Sequence, residues 1–230
     1  MKKPFIYFAL SVLLLFVTIQ ANSQTTRNLD LDEFSKVSLN ISADVYIELG
    51  STQKVVAEGS ERLINLLETD VRDEKWSIEY TERNVKTNNE KLKITITVVY
   101  LEGVKVNSSG DIHGSGTFST SEFYIGINGS GDAHFNLDVK ELDLSVNGSG
   151  DMHLSGKANE VDLSVNGSGD IKASDLKCNE ADASVNGSGD ISIHVVKQLE
   201  AHVNGSGDIR YSGDPDIKVR SYGSGDVKKM

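Results

Sequence analysis

Ser145 to Leu176 reads SVNGSGDMHLSGKANEVDLSVNGSGDIKASDL, and it says nearly the same thing twice. Phrases ending in Gly-Asp recur at Asp111, Asp132, Asp151, Asp170, Asp190, Asp208 and Asp226, at gaps of 18 to 21 residues. A repeat of that period belongs to solenoids, in which each unit buries its apolar face only against its neighbours.

The residue after the Asp is always apolar: Ile112, Ala133, Met152, Ile171, Ile191, Ile209 and Val227. Five before it stand Val106, Ile127, Val146, Val165, Val185 and Val203, and seven before it stand Val104, Ile125, Leu144, Leu163, Ala183, Ala201 and Val219. Polar residues fill the places between, mostly Asp or Glu at eight before, Ser at six before and Asn at four before. Strict alternation is the strand signature. Its phase survives the N-G-S-G-D phrase, so the phrase reads as a bend in a continuing strand, with inward glycines leaving room for a corner. The expected fold is all-β: a parallel β-helix of 18–21-residue coils, about 4.8 Å apart, right-handed by base rate. Antiparallel hairpins with N-G or S-G turns are the alternative. They would vary most in their loops, whereas here the phrase is the most uniform part.

Around this core the chain divides into three. Residues 1–23 read as a secretory signal peptide: Lys2 and Lys3, an apolar Phe5 to Ile19, then Ala21-Asn22-Ser23 as a cleavage site. No Cys follows the apolar run, which speaks against a lipid anchor, and no second apolar stretch reaches membrane length. Residues 24–100 lack the glycine phrase and read as an irregular strand-rich part that caps the solenoid. Residues 101–230 carry the regular coils.

One early stretch resembles a coil. V-S-L-N-I-S-A-D-V-Y-I, Val37 to Ile47, matches Leu144 to Leu154 position for position, with Ile41 and Ala43 in place of the inward glycines. Neither residue tolerates a positive φ comfortably, so the corner should not require a left-handed backbone. Between Asp44 and Asp111 there is room for about three more coils of irregular sequence. Ser60 to Asp70 reads as a short helix N-capped by Ser60. Trp76, Ile78 and Tyr80 alternate as one strand, Leu92, Ile94, Ile96 and Val98 as another, with a hairpin expected between them.

Composition narrows the function. The net charge is −11, more negative still without Lys2 and Lys3, which argues against nucleic acid and anionic membranes as partners. Cys178 is the single cysteine, so no intrachain disulfide forms; it reads as a core filler. The sequence holds no H-E-x-x-H, no G-x-S-x-G and no Cys-His set, and G-S-G-D fits neither a dinucleotide fingerprint nor a P-loop. No catalytic residue, cofactor or metal is expected. The N-G-S sequons follow from the corner chemistry and are not read as glycosylation sites.

The Asp column raises a physical question. Carboxylates about 5 Å apart repel by roughly 0.8 kcal/mol per pair even at the dielectric of water. Two residues on stand His113, His134, His153, Lys172, Ser192, Arg210 and Lys228, a column that would neutralise it. Asp accepting backbone N–H bonds at the bend is favoured over calcium binding, because calcium-binding nonapeptide repeats have half this period and two glycine pairs per coil. A transition-metal site on the three histidines is the sharper alternative to solvated charge compensation. The candidate binding ladder comprises Asn128, Asn147, Asn166, Asn186 and Asn204, then Asp111, Asp132, Asp151, Asp170, Asp190 and Asp208, and finally His113, His134 and His153.

The signal peptide, the irregular first half and the reiterated S-G-S-G-D-I coils together resemble the auto-transporter adhesin family with a head GIN domain, over about residues 30 to 228. The resemblance implies an exported β-helical protein of the Gram-negative envelope, periplasmic or on the cell surface, acting in adhesion, and it brings no catalytic residues. The expected function is therefore a non-enzymatic module presenting polar ladders to a glycan or to another envelope protein. Two alternatives stay open: a carbohydrate-active enzyme, by fold analogy, and self-association through a thinly capped carboxy-terminal end.

Overall fold

The computed structural model describes residues 24–230; the expected signal peptide lies outside the described residues. In chain order the elements are β1 (Thr25–Leu29), β2 (Lys36–Leu39), β3 (Asp44–Leu49), β4 (Lys54–Gly59), α1 (Glu61–Asn65), β5 (Val71–Arg72), β6 (Lys75–Ile78), β7 (Leu92–Val98) and β8 (Gly103–Val106). The long repeat strands follow: β9 (Ile112–Ile127), β10 (Ala133–Val146), β11 (Met152–Lys157), β12 (Glu160–Val165), β13 (Ile171–Val185), β14 (Ile191–Gly205), β15 (Ile209–Ser212), β16 (Asp216–Gly223) and β17 (Val227–Lys229).

From β8 onward every strand pairing is parallel and runs coil to coil, which makes the repeat a β-solenoid and excludes the hairpin alternative. Register follows the repeat: Val146 sits on Val165 and Val165 on Val185. The inward columns are buried. Leu39, Val106, Ile127, Val146, Val165, Val185 and Val203 form one, and Ile112, Ala133, Met152, Ile171, Ile191 and Ile209 another. Each well-buried large side chain stabilises the coil by roughly 1.5–3 kcal/mol, which offsets the entropy of ordering it. Cys178 is buried in this core, as expected, and burial pushes its thiol up to about 12. Phe118, Phe123 and Phe135 cluster at 5.4–6.4 Å between ring centroids where β9 turns a second corner.

The glycine phrase is a bend between strands, and its paired glycines do not have positive φ, except Gly223 in the last coil. The reason for glycine differs from the expected one. A Cβ on Gly150 would collide with the carbonyl oxygen of Gly131, and one on Gly169 with that of Gly150. The crowding is along the solenoid axis, against the coil before, rather than toward the core. Those carbonyls approach the glycine Cα instead, a weak Cα–H···O contact. Where the first of the two glycines is replaced by Ser108, its hydroxyl donates to the Ile41 carbonyl at 2.8 Å.

The amino-terminal part corrects three expectations. Val37 to Ile47 is indeed a coil, but it lies directly beneath the one bearing Asp111: β2 pairs with β8 and β3 with β9. The intervening residues supply one coil, not three, and place it on the other side, where β6 pairs with β2 and β7 with β3, both parallel. Coil order in space therefore differs from chain order. The expected hairpin is absent as well. β6 and β7 share a coil instead of pairing with each other, and β6 forms its hairpin with β5. The helix is shorter than Ser60–Asp70, although its cap is as read: the Ser60 hydroxyl accepts the Leu63 N–H at 3.3 Å. Leu67 has already left the helix to bridge Tyr80. Trp76 is buried with its indole N–H donating to the Glu68 carbonyl at 3.0 Å. Antiparallel β4 covers β7, and β1 in turn pairs antiparallel with β4, so the parallel stack ends on antiparallel pairings.

At the other end, β16 pairs with β14 alone and is exposed at every position. Ile217 and Val219 are each 46% exposed, while Leu199 and Ala201, one coil earlier in the same columns, are fully buried. Among the described residues no helix is long and apolar enough to cross a membrane.

Candidate functional site

Alternation sends the polar registers outward, and stacking turns each into a ladder. In the Asn ladder the side-chain amide of Asn107 donates to Asn40 Oδ1, Asn128 to Asn107, Asn147 to Asn128, Asn166 to Asn147 and Asn186 to Asn166, at 2.7 to 3.1 Å. Each amide has two N–H groups and one oxygen with two lone pairs. The ladder uses one N–H and one lone pair, so Asn128 and Asn147 retain one of each for a ligand; Asn166, Asn186 and Asn107 also donate to Ser164, Ser184 and Ser38, and Asn40 also donates to Glu79 and accepts from Ser38. Asn40 and Asn107 extend the ladder below the five asparagines named from the sequence. Asn204 stands above it, level with Tyr222 of the last coil.

The Asp ladder is built differently. Oδ1 of Asp111 accepts the backbone N–H of Asp132, and the pattern repeats through Asp151, Asp170, Asp190, Asp208 and Asp226 at 2.7 to 3.0 Å. The favoured reading, Asp as an acceptor for backbone N–H at the bend, is thus correct, with the donor on the next coil.

The basic column divides in two. In the upper coils it neutralises the acids: Lys172 pairs with Asp151 and Asp170, Arg210 with Asp190 and Asp208, and Lys228 with Asp208 and Asp226. Burial tends to raise the Asp151 carboxyl, but the Lys172 hydrogen bond, the Asp170 amide and the Lys172 charge together hold it below its usual range. The histidines do something else. Tyr46, His113, His134 and His153 stack face to face at 5.2, 4.9 and 4.5 Å between centroids, within 23° of parallel. Parallel rings point their nitrogens side by side rather than at one ion. Among the described residues no group of three or more His, Cys, Asp or Glu is arranged to hold a metal. Burial, then the charges of His153 and His113, lowers the pKa of His134, so the fold favours the neutral ring. The edges of His134 and His153 open onto a groove of about 400 Å³ shared with Asn136, Ser155, Lys172 and Asp175.

One outward feature escaped the candidate ladder. Glu122, Glu141, Glu160 and Glu180 stack in register, beside Asp143, Asp162, Asp182 and Glu200. Burial and then the Asp162 charge raise the Asp143 carboxyl. The signal was present in the sequence as acidic residues ten before Asp132, Asp151, Asp170 and Asp190 and eight before Asp151, Asp170, Asp190 and Asp208.

Residues 33–215 match the family model described as "Putative auto-transporter adhesin, head GIN domain". The chain belongs to this family. Among solved structures it is similar to a "putative adhesin" from Bacteroides fragilis, at 28% identity over 91% of this chain and 98% of that one, with a TM-score of 0.86. It also shares its fold with a "putative adhesin" from Parabacteroides merdae (22% identity, 91% and 97% coverage, TM-score 0.72) and a "putative lipid binding protein" from Parabacteroides distasonis (23% identity, 91% and 98% coverage, TM-score 0.71). No curated protein matches the chain. Membership of this head GIN domain family supports an adhesin-like role.

Proposed function

We propose that the protein is an exported, non-enzymatic binding module of the Gram-negative envelope that holds an extended glycan along its Asn, Asp and His ladders. In this reading residues 1–23 are the signal peptide, 24–100 the cap and 101–230 the presenting rod. The observation that carries it is the Asn ladder: identical rungs about 4.8 Å apart, each with unused amide hydrogen-bonding capacity, in a family described by adhesion. That spacing is close to the advance per sugar of an extended β-linked polysaccharide. Weak contacts repeated in register then add by avidity. The stacked carboxylates on the neighbouring columns disfavour anionic ligands, nucleic acid included.

The chain from Gln24 onward, tested on immobilised polysaccharides while new sugar ends are monitored, should be retained without releasing any. Release of reducing or unsaturated ends would move the reading to the carbohydrate-active enzyme. A second reading, end-to-end self-association, is favoured by the exposure of Ile217 and Val219 on an edge strand that pairs only with β14. It predicts a mass that rises with protein concentration and falls back to monomer in Val219→Lys.

A further inference from the structure

One cleft lies away from the ladders. It has a volume of about 790 Å³ and opens where segments that break the repeat meet: residues 31–35, the turn 51–53, Glu74, and residues 99–102. Its walls are tied together. The Gln53 side chain accepts the Phe34 N–H at 3.0 Å and donates to the Asp32 carbonyl at 2.9 Å. The Ser35 hydroxyl lies 3.0 Å from Glu102 and 3.4 Å from Glu74, so one hydrogen serves two carboxylates. Lys36 pairs with Glu102 at 3.1 Å, and its hydrogen bond, with that of Ser35, holds the Glu102 carboxyl below its usual range. The Tyr100 hydroxyl is 3.3 Å from Glu102 and 3.0 Å from Thr120, which fixes a ring that is still 46% exposed beside the 62% exposed Val99.

We propose that this cleft binds a single saccharide unit, neutral or amino-bearing, with Tyr100 as the stacking wall and Glu74 and Glu102 as acceptors. A pyranose has an apolar C–H face bordered by O–H donors. An exposed tyrosine ring suits the face, and ionised carboxylates, which only accept, suit the donors. Ring and carboxylates are already held in place, so little ordering is lost on binding. A uronate would bring its own charge against Glu33, Glu74 and Glu102, with Lys36 as the cation at hand. The proposal shares its ligand class with the glycan reading above but no residue with the ladders.

The test is an amide chemical-shift titration of the chain from Gln24 onward with methyl glucoside, glucosamine and glucuronate. The first two should give saturable shifts at residues 51–53 and 99–102, with glucuronate weaker by about tenfold. Tyr100→Ala should weaken the first two by about tenfold, and Glu102→Gln should narrow the gap to glucuronate. Equal binding of glucuronate, indifference to Tyr100→Ala, or no shift in these segments would overturn the proposal. Asn147→Ala/Asn166→Ala should leave the shifts intact. Sugar shifts that disappear while polysaccharide retention survives would sink the cleft alone. Shifts that persist where retention fails would sink the ladder alone.

Discussion

The backbone N–H of Asp170 donates to Oδ1 of Asp151, one coil below, at 2.9 Å. At this corner the Gly150 carbonyl is aimed at the Cα of Gly169, so the side chain of Asp151 supplies the acceptor that the backbone does not. Asp151→Ala should cost about 1–3 kcal/mol, the price of an amide left without a partner. Asp151→Asn keeps the oxygen and loses the Lys172 ion pair, so it should cost less. Urea unfolding of the two variants checks the order. The pH dependence has a definite sign. The Asp151 and Asp208 carboxyls are lowered in the fold, so their contribution is present above the ordinary carboxylate pKa of about 4 and is lost as pH falls through the folded value.

Gly150 and Gly116 separate two reasons for glycine. Gly150 has an ordinary φ but no room, because its Cβ would strike the Gly131 carbonyl. Gly116 has open space but a φ of +91°. Gly150→Ala should force coils apart and cost about 3 kcal/mol or more. Gly116→Ala should cost about 1 kcal/mol, from backbone strain alone. Comparable losses in the two unfolding curves would contradict this account of the corner.

The histidine stack should make the rod less stable in mild acid. His134 meets His113 and His153 on its two faces, with Asp111 and Asp132 as the nearby charges that favour protonation. Its folded pKa is below the unfolded value of about 6.5. The unfolded chain therefore takes up the proton first. Stability from the neutral ring is complete above about pH 6.5 and is lost as pH falls through that value toward the lower folded pKa. Melting temperature measured from pH 7.5 to 5 should fall more steeply for the parent chain than for His134→Gln.

The acidic columns are a standing repulsion. Asp162 lies in register between Asp143 and Asp182. Asp162→Asn should lower both neighbouring carboxyl pKa values toward the ordinary range and raise the melting temperature by about 1–3 °C at low salt. At high salt the gain should shrink. A loss of stability at low salt would show that these carboxylates are compensated in some other way.

Much of this was legible from the repeat. Position relative to the corner Asp sorts residues into inward and outward columns, and the match of Val37–Ile47 to a coil correctly assigned β2 and β3. The column of His113, His134 and His153 was legible too, but not its stacking with Tyr46: from the sequence it reads as neutralising the Asp ladder or holding a metal. What stayed hidden was order in space. Nothing local to Trp76 or Ile94 says that their coil lies on the far side of β2 and β3, because a parallel ladder accepts any strand of matching alternation. The role of glycine stayed hidden for a similar reason: it depends on the carbonyl of a neighbouring coil, about twenty residues away in sequence. The cleft at Tyr100 is built from the segments that break the repeat, where column reasoning does not apply.

The most direct test of the ladder is affinity against length. A series of neutral β-linked oligosaccharides, from a single sugar upward, would be titrated against the chain from Gln24 onward and against Asn147→Ala/Asn166→Ala. Affinity for the parent chain should rise with each added sugar until the rungs from Asn128 to Asn186 are spanned, and the double variant should lose most of that rise. Affinity independent of length, or equal in the two proteins, would contradict the claim that the ladder is the binding face.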